Sequence, residues 1–338
     1  MTSPGRRYGL PWRGREVART AEAAGVTAFC SGEFVDHEAY STLAEMALQT
    51  ERAQVGPGIA YAFARTPYAH AAGVRGAWRH APGRVFLGLG SGAYKINRDW
   101  FGVAADRPAA RMADLVGAVR AWLQAENGQR VRHDGEFYHV DAVVGAPVLG
   151  RIDAPILLGA FNKLMASAAG RTADGIIGHG LFTRAWWEDV IRPAMAKGAA
   201  RAEHDGVPQE HGWVITAVDD DDPERAVMDA RRMIAFYLTV KTYDPYVEHH
   251  GWTAQTAAIR QAFAARDTGA MGRAVTDDML EAIAVCGTTA DARAALARRA
   301  GSLPRDVAYL APPSFMVSER RGQRYALASL ALLGDSTS

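Results

Sequence analysis

Glu33, Asp36 and His37 fall within one short stretch, Ser31-Gly32-Glu33-Phe34-Val35-Asp36-His37, directly after an apolar run. Carboxylates and an imidazole at such a place can be tuned for proton transfer. The competing reading is structural, since Asp36 and His37 also suit the start of a helix. A second stretch, Val55-Gly56-Pro57-Gly58-Ile59-Ala60-Tyr61, sets two glycines and a proline inside an apolar run. Glycine there marks a bulge or a close approach of backbone to a ligand, and a central strand seldom holds proline. Gly88-Leu89-Gly90-Ser91-Gly92 strips side chains at alternate positions, so a flat ring or an anion can rest on peptide groups; a plain turn explains it equally. Leu158-Gly159-Ala160-Phe161-Asn162-Lys163 runs into helical spacing. Free N–H groups at a helix start, beside a lysine, cradle a phosphate, and Gly178-His179-Gly180 at the end of the next strand can complete the cradle. Asn162 is a good N-cap with or without an anion. No His, Cys and Asp cluster has zinc-ligand spacing, and no Gly-x-Ser-x-Gly or Cys/His pattern points to a hydrolase.

All of these residues lie where apolar runs stop. Residues 7–10, 26–31, 54–63, 84–90, 155–160, 174–178, 213–218 and 306–310 read as strands. Between them, residues 17–25, 39–50, 68–78, 111–123, 163–171 and 186–201 carry helical spacing, while 133–151 is a turn-rich excursion. The alternation predicts an α/β fold, a (β/α)8 TIM barrel in a single domain over 1–338, with a helical insertion at about 243–284 before the last strand. A doubly wound sheet would call for Gly-x-Gly-x-x-Gly after the first strand, and none is there. In a barrel the chemistry sits at the C-terminal ends of the strands, where the stretches above fall.

Composition narrows the classes further. Lys+Arg 38 against Asp+Glu 37 leaves +1, with no basic block, which argues against a nucleic-acid partner. No apolar run approaches the roughly 18 residues of a membrane span, and the first seven residues lack the apolar segment of a signal peptide, so a cytoplasmic protein is expected. Cys30 and Cys286, each in a mostly apolar setting, are expected as reduced thiols.

Taken in order along the chain, these stretches resemble the bacterial luciferase-like superfamily of flavin- and deazaflavin-dependent oxidoreductases. The likeness runs from Ala21-Glu22-Ala23-Ala24-Gly25 and Tyr40-Ser41-Thr42-Leu43-Ala44, through Gly56-Pro57-Gly58-Ile59 with Arg65-Thr66-Pro67, to Gly83–Gly92 and Ala168-Ala169-Gly170-Arg171-Thr172-Ala173-Asp174-Gly175. Gly-Pro-Gly-Ile, residues 235–252 and Val285-Cys286-Gly287-Thr288 are most similar to the methylene-tetrahydromethanopterin reductase branch, whose members use coenzyme F420. The resemblance implies a cis peptide at Gly58–Ile59 that supports a tricyclic ring from behind. It implies that Gly58, Ile59, Gly90, Ser91 and Gly92 line that ring, and that Gly159, Ala160, Phe161, Asn162, Lys163, Gly178 and Gly180 hold the coenzyme's phosphate.

Two departures bear on the chemistry. Where relatives commonly carry Asp-His or Glu-His after strand two, this chain has Gly32-Glu33, and where many carry an acid after the strand-four glycines it has Ala93-Tyr94. Glu33, Tyr94 and His179 are then the expected proton donors. The function implied is F420-dependent hydride transfer to or from a small organic substrate. FMN-dependent monooxygenation with reduced flavin is the alternative, because both coenzymes share the tricycle, ribityl chain and first phosphate. A phosphosugar isomerase or lyase would need a lysine at a strand end, and Lys95, Lys163, Lys197 and Lys241 do not end apolar strands in that way. A binding protein without turnover is a further class. The resemblance implies a homodimer, paired through helices beside strands two and three, where Ala69–Ala72 permits close approach.

Overall fold

The computed structural model describes residues 5–148, 150–202 and 206–333; the outermost parts of the expected 1–338 domain, and Leu149 in the expected excursion, lie outside them. Strands β1 (Arg7–Pro11), β2 (Ala28–Ser31), β3 (Gln54–Pro57), β4 (Ala60–Tyr61), β5 (Leu87–Gly90), β8 (Ile156–Gly159), β9 (Gly175–Gly178), β10 (Gln209–Val218) and β12 (Val307–Ala311) follow one another round a parallel sheet. The order is β3-β2-β1-β12-β10-β9-β8-β5-β4, and β3 and β4 are the two halves of a single bent strand. The sheet therefore closes on itself through that bend. Val55 donates its N–H to Arg84 O at 2.8 Å and accepts from Phe86 N at 3.0 Å, while Ala60 and Tyr61 pair with Leu89 and Gly90. This is the expected TIM-barrel-like α/β fold.

A parallel sheet buried on both faces needs nearly unbroken apolar strands. One face packs beneath the helices; the other fills the barrel with Ala28, Cys30, Phe86, Leu157, Ile177, Val307 and Tyr309. Large rings fit there only against glycine: a Cβ on Gly9 would lie 2.5 Å from Tyr309 Cδ1, and one on Gly56 2.5 Å from Phe86 Cδ2. Burying Phe86 in this way contributes about 2 kcal/mol.

Three elements differ from the sequence expectation. The third strand breaks at Gly58 and Ile59 instead of running unbroken over 54–63. The excursion contains an antiparallel hairpin, β6 (Arg130–Asp134) with β7 (His139–Val143). Asp114 of the helix Pro108–Leu123 accepts from Phe137 N at 2.5 Å and Tyr138 N at 3.0 Å, so tertiary contacts hold what local patterning does not reveal. The strand expected at 213–218 begins at Gln209, because residues 209–212 pair with β9 and 215–218 with β11 (Ala284–Gly287). Helices Asp244–His250, Thr253–Ala264, Thr268–Arg273 and Asp277–Ile283 occupy the expected insertion. Both cysteines are free thiols, Cys30 buried and Cys286 partly so.

Candidate functional site

The C-terminal ends of the strands form a mouth floored by the bend. Gly58–Ile59 is a cis peptide, at the bond implied by the resemblance. Gly58 N–H donates to Ser31 O at 2.7 Å and Glu33 N–H to Ile59 O at 3.0 Å, which stitches the loop after β2 onto the bend. A Cβ on Gly58 would meet Cys30 Cβ at 2.9 Å, so only glycine lets the bend press this close to β2. Ile59 then spreads over its neighbours: a Cβ on Gly90 would lie 2.5 Å from its Cγ1, and one on Gly159 3.1 Å from its Cγ2. This corrects the expectation for the glycine run. Gly90 makes room for Ile59, and the partly exposed surface belongs to Gly58, Ile59, Ser91 and Gly92. Ser91 O is held by Asn97 Nδ2 at 2.7 Å.

On one side of the mouth the chemistry is ionic. Glu33 Oε2 accepts from Arg65 Nη1 at 3.0 Å and from Tyr61 N at 2.7 Å, and its Oε1 accepts from Arg65 Nη2. Arg65 also donates to Glu38 at 2.6 Å and lies over the Tyr40 ring. Glu38 in turn caps the helix Ala39–Gln49, accepting from Ser41 N at 2.7 Å. Arg65-Thr66-Pro67 is thus both an ion-pair donor and a helix start, Thr66 accepting from Ala69 N at 3.2 Å with Pro67 in the first turn. Behind Arg65, His70 is fully buried. Its Nε2 lies 2.9 Å from Ala62 O, which can only accept, so Nε2 carries the proton and Nδ1 accepts from the Tyr40 hydroxyl at 2.5 Å. Burial lowers its pKa to about 4, and the imidazole is neutral at pH 7.

On the other side the chemistry is aromatic. His179 packs against Tyr237 at 4.4 Å, Tyr243 at 5.3 Å and Phe161 at 5.4 Å between ring centroids. Phe315, after β12, meets Tyr237 at 5.6 Å and continues the wall. Leu181 N–H donates to His179 Nδ1 at 3.2 Å, so Nε2 holds the ring proton, with Tyr243 Oη at 3.4 Å. Desolvation lowers this histidine's pKa to about 4 as well.

The structure places the residues of the expected phosphate cradle in different settings. Asn162 caps the helix Lys163–Thr172, accepting from Met165 N at 3.0 Å, and Lys163 is exposed. Lys163 and Leu164 supply first-turn N–H groups, which no helix satisfies internally. Ala160 does not contribute one, since its N–H donates to Ile177 O at 3.4 Å. Gly178 and Gly180 are buried; a Cβ on Gly178 would meet Trp187 Cζ2 at 2.6 Å and one on Gly180 Ile215 Cγ1 at 3.1 Å. Their small size serves packing. Phe161 turns its carbonyl to Trp186 Nε1 at 3.0 Å and its ring into the aromatic wall. Tyr94 is 65% exposed, with Arg98 over its ring, and touches neither Glu33 nor His179.

Arg65, Tyr40, His70, Tyr237 and Tyr243 escaped sequence reasoning as site residues. Arg65 alone carried a local signal, standing just before a Thr-Pro helix start. The others lie inside helices or strands, where a polar or aromatic residue gives no hint of its partner. A cavity of about 240 Å³ lined by Arg120, Gln124, Asp153, Asp174 and Gln209 lies at the opposite barrel face, where strands begin, and is not part of this mouth.

Comparison with known proteins agrees with this geometry. The chain is 30% identical over 301 residues to an uncharacterized protein of Mycobacterium tuberculosis (84% of this chain, 87% of that one). It is 28% identical over 285 residues to 5,10-methylenetetrahydromethanopterin reductase of Methanolobus tindarius (82% and 85%). The coenzyme F420 dependent tetrahydromethanopterin reductase of Methanopyrus kandleri superposes with a TM-score of 0.75 at 19% identity, covering 98% of each chain. A Baeyer-Villiger monooxygenase of Pseudomonas putida in complex with FMN superposes at 0.67 and 14% identity, covering 98% of this chain and 99% of that one. The luciferase-like monooxygenase family model matches residues 6–306, nearly the whole barrel from β1 to the threshold of β12, and the chain belongs to that family.

Proposed function

We propose that this luciferase-like oxidoreductase uses coenzyme F420 to transfer a hydride to or from a small organic substrate. The observation that carries the reading is the bend itself: Gly58 and Ile59 present a partly exposed floor at the strand ends, and Ile59 is buttressed over Gly90 and Gly159. The described residues fit a flat ring there. They also fit a phosphate-bearing tail running toward Lys163, whose ammonium has no ion-pair partner among them and stands beside the open N–H groups of the helix start. The Methanopyrus reductase of the same fold, named as coenzyme F420 dependent, favours F420, and the FMN-bound structure of that fold keeps FMN as the alternative. When bound, the coenzyme supplies the redox chemistry and the protein supplies orientation and proton management.

Within that reading the three expected proton donors separate. Both Glu33 oxygens accept hydrogen bonds from Arg65 or Tyr61 N–H, so Glu33 positions the loop after β2 and the bend. Tyr94 faces solvent. His179 keeps a proton on Nε2 beside Tyr243, and as a neutral imidazole it donates a hydrogen bond to a substrate oxygen without adding a charge. The aromatic wall around it excludes water and favours an apolar substrate body.

Titrating the purified protein with F420 and with FMN, followed by ring fluorescence, tests the coenzyme. Saturable quenching by F420 is expected; quenching by FMN alone removes the F420 reading. Sedimentation tests the homodimer proposed from the helix Pro67–Trp78.

A further inference from the structure

Trp213 lies midway along β10, paired in register with Tyr309, and its side chain packs inward against the barrel cluster that holds Cys30, Ile177 and Tyr309. Its indole nitrogen lies beneath the bend: a Cβ built on Gly58 would stand 3.5 Å from Trp213 Nε1. Indole N–H is a donor only, and a buried one nearly always finds an acceptor. Trp186 obeys that rule, donating to Phe161 O at 3.0 Å. Trp213 Nε1 has no acceptor among the described residues, yet it is absent from the fully buried side-chain atoms left without a partner and its residue is only partly buried, so the nitrogen keeps some open space around it. The barrel thus offers an uncharged donor beside Gly58, next to the surface on which the coenzyme ring is proposed to rest.

We propose that Trp213 is a coenzyme-binding residue whose Nε1–H donates a hydrogen bond to a polar atom of the deazaflavin or flavin ring. The inference rests on the proposed function, because it assigns the donor to the group lying against Gly58 and Ile59 and leaves the substrate to the opposite, open side. A neutral donor adds no charge to the floor, and the indole nitrogen already stands beside Gly58.

Trp213→Phe keeps an aromatic ring in the barrel and removes the donor together with part of the indole. In fluorescence titrations with whichever of F420 and FMN saturates the wild type, the variant binds about tenfold more weakly, the loss expected for one hydrogen bond to a preformed site. Labelling the indole nitrogens of all eight tryptophans with 15N gives a second readout on the unaltered chain. The N–H signal absent from Trp213→Phe, or failing that assigned through neighbouring Tyr309, moves downfield when coenzyme is added. Saturable binding with a stationary signal, or with a variant affinity within about twofold of wild type, overturns the role of Trp213 and leaves the coenzyme reading intact. A wild type that neither coenzyme saturates overturns both.

Discussion

The two sides of the barrel mouth hold their shape by different means. Glu33, Arg65, Glu38, Tyr40 and His70 form a chain of ion pairs and hydrogen bonds in which each polar atom named has a partner. Phe161, His179, Tyr237, Tyr243 and Phe315 form a wall of rings, with one long hydrogen bond, 3.4 Å, inside it. The two histidines make the contrast plain. Both are neutral and both have a pKa lowered to about 4 by burial, but His70 has both nitrogens engaged, whereas His179 keeps its Nε2–H in a weak contact. A saturated polar network fixes geometry and has nothing left to offer a ligand. A neutral aromatic surface with a loosely held donor can contact one. On the proposed function, the ionic side positions and the aromatic side meets the substrate.

The contrast is broken most directly at Arg65. Arg65→Met leaves the Glu33 carboxylate, whose side chain is 9% exposed, without its cation. A loss of about 3–5 kcal/mol is expected in urea unfolding, against less than about 1 kcal/mol for Tyr243→Phe on the aromatic side. Equal losses would erase the distinction.

Acid titration comes next. The unfolded chain takes up a proton on each histidine near its ordinary pKa of 6.5, while folded His70 and His179 resist protonation until about 4. Between those values the unfolded state binds more protons, so stability is fully present above about pH 6.5 and falls as pH drops toward 4. Each histidine contributes up to about 3 kcal/mol to that fall. His179→Phe should flatten the pH dependence of the urea midpoint in this window, and an unchanged slope would show that His179 is solvated.

Tyr40→Phe is expected to cost about 1–2 kcal/mol, because it strands the buried Nδ1 of His70 without a donor. Calorimetry should report that loss with coenzyme affinity little changed, in keeping with a positioning role. The smallest effect belongs to Tyr94→Phe, within about 0.5 kcal/mol in stability and without change in coenzyme titration. A marked loss of binding there would move the ring toward the loop after β5.

Much of the barrel could be read from local pattern, because strands buried on both faces must be apolar and the helices between them must be amphipathic. Residues 156–159 and 175–178 announce themselves in this way. The hairpin β6–β7 did not, since its register depends on Asp114 of a preceding helix. Within the site, Gly58 and Ile59 were legible because glycine and proline in a strand interior have few ordinary explanations. Gly90, Gly178 and Gly180 are ambiguous for the same reason: a small residue is equally required by a ligand or by the packing of Ile59, Trp187 or Ile215, and composition cannot distinguish these. Glu33 was found, but its role was not, as the guanidinium that occupies it stands 32 residues away.

Covalent pattern alone determined the alternation of strand and helix, the bulge-prone glycines and proline of the third strand and the set of residues left at the strand ends. Those follow from backbone sterics and from the period of apolar burial, which act over a few neighbouring residues. Only the closed barrel decided that Arg65 saturates Glu33, that Ile59 covers Gly90 and Gly159, that Tyr94 points to water and that the indole of Trp213 comes to lie under Gly58. Each of these depends on distances of a few ångströms between groups far apart in the chain, and hydrogen bonds, ion pairs and contact packing have no energy until folding brings such groups together.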